Sequence, residues 1–217
     1  MALSTLSSPS LAIARAGEVE YEKALEIQRT FHHEVVENLR PHSLILLEHP
    51  SVYTAGKRTL EEEKPHSGER VIDVDRGGKI TWHGPGQLVG YPIIKLKNPH
   101  ELVGFVRVIE GALIEICSDF GITGQRIDGR SGVWVVDSQG ARKIAAIGIR
   151  VAKGVSMHGF ALNVNPDLTA FSKIIPCGID DADVTSFRKE LGREIAISEV
   201  LDSVEKHMYE ALVKVAQ

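Results

Sequence analysis

Cysteine is nearly absent from this chain: two in 217 residues, Cys117 in "IEICSDF" and Cys177 in "KIIPCGI", far apart in sequence. That excludes a disulfide framework or a CxxC zinc site and points to a reducing compartment, the cytoplasm. The nine histidines form no HExxH and no tight His/Asp cluster, which argues against a metal centre. No GxSxG elbow supports a serine hydrolase. No glycine-rich loop ends in Gly-Lys-Ser/Thr, and no GxGxxG precedes a long helix. No apolar run approaches the roughly 20 residues that cross a membrane. A net charge of −4 argues against a non-specific nucleic-acid binder, while leaving small acidic ligands open. The opening "MALSTLSSPSLAIARAG" (residues 1–17) has no acidic residue and one arginine. It reads as a loosely ordered extension followed by a first strand, not as a secretory signal.

What is present is an ordinary globular composition. At 43% hydrophobic and 25% charged residues, the chain can bury a substantial core as one domain spanning 1–217. Tyr21, Leu25, Gln28, Phe31, Val35 and Leu39 recur at helical spacing. "SLILLEH" and "VIDVD" read as strands. "QLVGYPIIKL" is a third, with Pro92 placing it near an edge or bulge. Asn98-Pro99-His100-Glu101 carries the signs of a helix start, with Asn98 as cap. Leu102, Phe105, Ile109, Leu113, Ile116 and Phe120 continue that helix until Gly121 stops it. "GVWVVD", "RKIAAIGIRVAKG" and "VSMHGFALNVN" read as consecutive strands, the last two joined near Gly154. Ser198 caps a final helix carrying Leu201, Val204, Met208, Leu212 and Val215. Strands in runs with a few long helices predict an α+β fold, a mixed or antiparallel sheet flanked by helices.

The pattern separates the two thiols. Cys117 lies beside the apolar stripe of a helix and is expected to pack. Cys177 lies on no periodic element. Pro176 restricts the backbone before it and Gly178 frees the backbone after it, a setting that presents a side chain. A free thiol is only about 3% thiolate at neutral pH, and Asp180, Asp181 and Asp183 would lower that further. A reactive Cys177 therefore needs a cation from elsewhere: Lys143, Arg142 or His83. Spacing alone does not choose among them.

"DRGGKITWHGPGQLVGYP" is the densest signal for binding. Gly77, Gly78, Gly84 and Gly86 let a backbone run close to a ligand, and Arg76, Lys79, His83 and Gln87 add polar heads. Ala145, Ala146, Gly148, Gly159 and Ala161 leave room for an extended apolar chain across a sheet. His158 reads as a structural donor, and His49 ends a buried strand.

Together, "LLEHPSVYTAGKR", "DRGGKITWHGPGQLVGYPI", "DGRSGVWV", "RKIAAIGIRV", "HGFALNVN" and "PCGI" followed by "VTS" resemble the octanoyltransferase family of lipoate biosynthesis. The likeness runs from about Leu44 to Phe187, with no departure at the motif positions. It implies the fold of the biotin and lipoate protein ligases. It also implies transfer of an octanoyl group from octanoyl-acyl carrier protein to Cys177, and then to a lysine. That lysine belongs to a lipoyl domain of a 2-oxoacid dehydrogenase complex or to the glycine-cleavage H protein. The resemblance assigns Lys143 as the partner of Cys177. It assigns the acyl and substrate pocket to Arg76, Gly77, Gly78, Lys79, Ile80, Thr81, Trp82, His83 and Gly84, with Ala146, Ile147, Gly148, Gly159, Phe160 and Ala161. No cofactor or metal is implied, because a thioester donor already carries the free energy of amide formation. Two rival readings are an ATP-dependent lipoate or biotin ligase on the same fold and a non-catalytic acyl-binding module.

Overall fold

The computed structural model describes residues 10–65, 68–174 and 183–217. Its elements run β1 (Leu11–Glu18), α1 (Tyr21–Val36), β2 (His42–Glu48), β3 (Val52–Ala55), β4 (Val71–Asp73), β5 (Thr81–His83) and β6 (Gln87–Ile93). There follow α2 (Leu102–Asp119), β7 (Gln125–Ile127), β8 (Arg130–Asp137), β9 (Gly140–Ala152), β10 (Val155–Asn163), β11 (Asp183–Val184), α3 (Phe187–Leu191) and α4 (Ile197–Val215). This is the expected α+β architecture. A large mixed sheet has the order β1-β2-β6-β10-β9-β8-β7, and β11 pairs with β9. A small sheet has the order β4-β3-β5. The first strand lies inside the segment that the sequence reads as an extension, and it pairs parallel to β2.

Alternation along the strands divides the large sheet into two unlike faces. Leu44, Leu46, Leu88, Phe160 and Leu162 point to the side covered by α2 and α4, and join Ile109, Leu113, Ile116, Val204 and Met208 in the main core. Each such side chain, fully buried, contributes about 1.5–3 kcal/mol. Cys117 is part of this core, and burial pushes its thiol up to about 12. It is inert packing, as its helical position predicts. The intervening residues Ile45, Leu47, Val89, Tyr91, Ile93 and Ala161 face α1. The small sheet forms a third cluster, in which Tyr53, Ile80 and Trp82 pack on Phe171 and Ile174.

Three local expectations need correction. Pro92 stands in β6, between β2 and β10, well inside the sheet. It is tolerated because the ladder to β10 is interrupted there. Regular pairing stops at Phe160↔Gly90, the His158 N–H turns to Gln28 Oε1 (2.9 Å), and the Pro92 carbonyl accepts from Ser156 Oγ (2.7 Å). His158 adopts φ +58° at this break, a conformation costly for a non-glycine residue. Helix α2 starts later than Asn98: Glu101 is its cap residue, without a side-chain cap bond, and residues 98–101 form a turn. The last helix starts earlier than Ser198 predicts. Its cap residue is Ala196, whose N–H donates to Glu199 Oε1 at 2.8 Å. The stop at Gly121 (φ +75°) and the β9–β10 turn at Lys153 and Gly154, both with positive φ, are as expected.

Candidate active site

A cleft lies between the α1 face of the large sheet and the segment from Arg76 to His83. Its empty space is about 530 Å³, counted to its open mouth. Ala146, Gly148 and Ala161 line it from β9 and β10, Val89 and Tyr91 from β6, and Tyr21 from the first turn of α1.

One irregularity in β9 aims a cation at this side of the sheet. Val133 pairs with Ala145, but Trp134 pairs with Lys143, so Ile144 is an extra residue on β9. In a regular strand Lys143 would share the face of Ala145, which packs in the α2/α4 core. The bulge turns Lys143 to the opposite face, where its Nζ sits 4.6 Å from the Trp134 ring centroid. Lys143 is buried and makes no ion pair among the described residues. Its neighbour Arg142 is committed elsewhere: it bonds both oxygens of Asp137 (2.9 and 2.8 Å) and both of Glu190 (3.1 and 3.2 Å). His83 is buried and its pKa is pushed down to about 3, chiefly by desolvation. Of the three cations that the sequence leaves open, the geometry leaves Lys143 available.

The loop residues divide by role. Arg76 is buried and donates to the carbonyls of Gly77 (3.1 Å), Lys79 (2.8 Å) and Thr54 (2.7 Å) and to Thr54 Oγ1 (2.9 Å), so it organises its own loop. The Gly77 N–H donates to Ile149 O (3.1 Å), pinning the loop to β9, and Gly77 itself faces a neighbouring groove. Gly78, Thr81 and His83 line the cleft, as does Lys79, whose Nζ is bound to Glu63. Ile80, Trp82 and Gly84 do not. Ile80 and Trp82 pack in the small-sheet cluster, where Trp82 Nε1 donates to Ser51 Oγ (2.9 Å). A Cβ on Gly84 would lie 2.0 Å from the Trp82 ring.

The small residues of β9 and β10 also divide. Ala146, Gly148, Gly159 and Ala161 line the cleft; Ile147 and Phe160 border it as well, but Phe160, like Ala145, packs in the helical core. Two of these glycines serve packing more than room. A Cβ at Gly159 would meet Gly90 O at 1.9 Å, and one at Gly148 would meet Arg76 Cδ at 2.9 Å. Cys177 lies outside the described residues. The described chain ends beside the small-sheet cluster at Ile174 and resumes at Asp183, where Asp183 pairs with Arg142 and Val184 with Lys143.

Sequence reasoning missed Tyr21, Val89, Tyr91, Ser131 and His158 as cleft-lining residues. Each carried some signal: Tyr21 heads a periodic helix, Val89 and Tyr91 end the glycine-rich block, Ser131 lies inside "DGRSG", and His158 opens "HGFALNVN". Four rings form a packed group: Tyr21 stacks near His83 (6.0 Å, 15°), and His49 contacts Tyr21, His83 and Tyr91. Burial lowers His49 to about 4 and raises Tyr21 to about 12. His49 Nδ1 lies 2.6 Å from Val19 O and must donate to it, so Nε2 accepts from Tyr91 Oη at 2.7 Å. His158 Nε2 is 2.7 Å from Asp75 Oδ1, and Asp75 also pairs with Arg150. Desolvation outweighs that carboxylate and lowers the His158 pKa. Among the described residues, no group of three or more His, Cys, Asp or Glu is arranged to hold a metal ion. No described helix is long and apolar enough to cross a membrane.

Residues 20–209 match the family model of the lipoyl protein ligase A/B catalytic domain. An octanoyltransferase of Salinispora tropica is 57% identical over 206 residues, covering 94% of this chain and 97% of the relative. One from Mycolicibacterium gilvum is 55% identical over 198 residues, covering 90% and 83%. Among solved structures, a bipartite lipoate protein ligase of Thermoplasma acidophilum, studied with its E2 lipoyl domain, superposes with a TM-score of 0.72. It is 15% identical, with 93% of this chain and 83% of that chain covered, a likeness of fold.

Proposed function

Because the chain belongs to the lipoyl protein ligase A/B catalytic family, and within it to the octanoyltransferases, we propose that it forms an octanoyl thioester on Cys177. The chain is a transferase of protein lipoylation. In the first step of this reading, the Cys177 thiolate attacks the carbonyl of octanoyl-acyl carrier protein. The new C–S bond replaces the old one, and the carrier leaves as a thiolate that takes up a proton. In the second step, the neutral amine of a lipoyl-domain lysine attacks the acyl carbon. A C–N bond forms, the nitrogen loses a proton, and the Cys177 thiolate is expelled. A thiolate suits both steps, since it attacks thioesters well and leaves well. Lys143 favours the thiolate and moves the protons. The acyl chain lies along Ala146, Gly148 and Ala161, and a cytoplasmic location keeps the thiol reduced.

The observation that carries this reading is Lys143. The bulge at Ile144 turns it to the cleft side, it is free of carboxylates among the described residues, and it lies beside the strand that follows the Cys177 segment. Intact mass after incubation with octanoyl-acyl carrier protein, without ATP or magnesium, tests the proposal. One octanoyl group should appear, removable by hydroxylamine and mapping to Cys177, and Cys177→Ala should abolish it. A strict requirement for ATP would move the protein to the ligase reading. Acyl binding without an adduct would make it a binding module.

A further inference from the structure

A second groove opens off the cleft. Gly78, Ser131, Ile147 and Gly148 line both, so the two are continuous. The groove's empty space is about 850 Å³, counted to its open mouth. Its lining is apolar where β9 meets α2: Ile147 and Ile149 come from the strand, and Leu102, Val103 and Val106 from the helix. Leu102 is 40% exposed and Val103 73%, so this apolar stretch reaches solvent. The charged lining is mostly of one sign, with Arg58, Arg107 and Arg130 set against a single acid, Glu110. Glu110 is already committed. Its Oε2 accepts from Arg107 Nη1 (2.9 Å) and Arg126 Nε (3.1 Å), and its Oε1 from the Gly132 N–H (3.0 Å). The exposed Asp128 carboxylate stands 4.0 Å from Arg107. Arg58 is exposed and has no side-chain partner among the described residues. A chain of net charge −4 thus concentrates cations at one groove beside its cleft.

We propose that this groove seats the phosphopantetheine arm of the acyl carrier, its phosphate against Arg58 and its chain running over Ile147 and Gly148 into the cleft. This rests on the acyl-transfer reading above and concerns the donor alone. The two partners of that reaction bring opposite charges. The carrier presents its acyl group on a long, flexible arm that is uncharged along most of its length and ends in a phosphodiester. The acceptor presents a lysine, which arrives from neutral water as an ammonium. Guanidinium groups without a free carboxylate attract the phosphate and repel the ammonium. Arg107 has carboxylates beside it, so the phosphate falls to Arg58, which nothing in the described chain neutralises. The apolar lining suits the rest of the arm, whose methyl and methylene groups leave water against Leu102, Val106 and Ile149.

The test compares donors that differ in the phosphate. With octanoyl-phosphopantetheine, or with the whole octanoyl-carrier, Arg58→Ala should raise KM for octanoyl-enzyme formation about 5–30-fold and leave kcat little changed. With octanoyl-pantetheine, which lacks the phosphate, variant and wild type should agree within about twofold. Transfer from isolated octanoyl-enzyme to a lipoyl domain should likewise stay within about twofold. The exposed Val103 supplies a second pair of variants that leaves the core alone: Val103→Glu should weaken use of the carrier, and Val103→Lys should not. Equal loss with both small donors, or no loss with either, would overturn the assignment. Loss confined to transfer onto the lipoyl domain would overturn it by giving the groove to the acceptor. A wild-type dimer that Val103→Glu dissociates would give the groove to a second copy of the chain. A wild-type protein that forms no octanoyl-enzyme from any donor would instead overturn the acyl-transfer reading beneath it.

Discussion

The two faces of the large sheet are built from alternate residues of the same strands, yet they are chemically opposed. On the α2/α4 side, Leu44, Leu46, Leu88, Phe160 and Leu162 meet apolar helix stripes. On the other side, Gln87, Tyr91 and Asn163 stand beside a cleft, among rings and amides that are buried and hydrogen-bonded. A buried polar group without partners costs about 1–3 kcal/mol; Gln87, Tyr91 and Asn163 avoid that cost through bonds to His83, to His49 and between Gln87 and Asn163, whereas Gln28 Nε2, Trp134 Nε1 and His158 Nδ1 are buried without a partner among the described residues. One face supplies stability. The other holds a directional polar arrangement, and the bulge at Ile144 moves a lysine from the first to the second.

If that division is real, substitutions on the two faces should fail differently. The largest effect is expected at Lys143. Lys143→Met keeps a long apolar stem, so stability should be little changed while octanoyl transfer falls about 10²–10⁴-fold. The pH dependence of iodoacetamide alkylation at Cys177 should move upward in that variant. Lys143→Arg retains charge without ready proton exchange, so it should hold much of the alkylation rate and still transfer poorly. An unchanged alkylation profile in Lys143→Met would remove Lys143 from this role.

The opposite pattern is expected in the helical core. Leu113→Ala should cost about 2–5 kcal/mol in denaturant unfolding while the folded fraction transfers octanoyl at nearly the wild-type rate. A large loss of turnover at full folding would mean that the two faces are not separable.

A smaller, graded effect should come from pH. His49 and His83 are held neutral, at about 4 and about 3 in the folded state, against about 6.5 in an unfolded chain. Above pH 6.5 neither state binds these protons, and stability is at its full value. Below it the unfolded chain takes up protons that the folded rings do not, so stability falls until the folded values near 4 and 3 are reached. With two such rings the slope approaches about 2.7 kcal/mol per pH unit in the middle of that window. Urea unfolding at pH 7 and pH 5 checks this. Equal midpoints at the two pH values would show that the rings are not buried neutral.

Periodicity determined much of this protein by itself. Apolar residues at helical spacing placed α1, α2 and α4, and continuous or alternating apolar runs placed β2, β6, β8, β9 and β10, because burial of one face is a local pattern with a global consequence. It also separated Cys117, on a helix stripe, from Cys177, on none. The glycine-rich block marked one wall of the cleft for the same reason, since close backbone approach leaves its trace in residue type. Tertiary structure alone decided the rest. Pro92 could enter an interior strand only because Gln28 and Ser156, distant in sequence, take up the groups that the ladder leaves unpaired. Lys143 stands on the cleft side of the sheet because of a one-residue register shift against β8, which no single-strand pattern encodes. The orientation of the Gln87 and Asn163 amides depends on two carbonyls, Trp82 O and Thr185 O, contributed by distant segments. Hydrogen-bond direction and bulge position are properties of pairs of segments, and a one-dimensional pattern carries information only about one segment at a time.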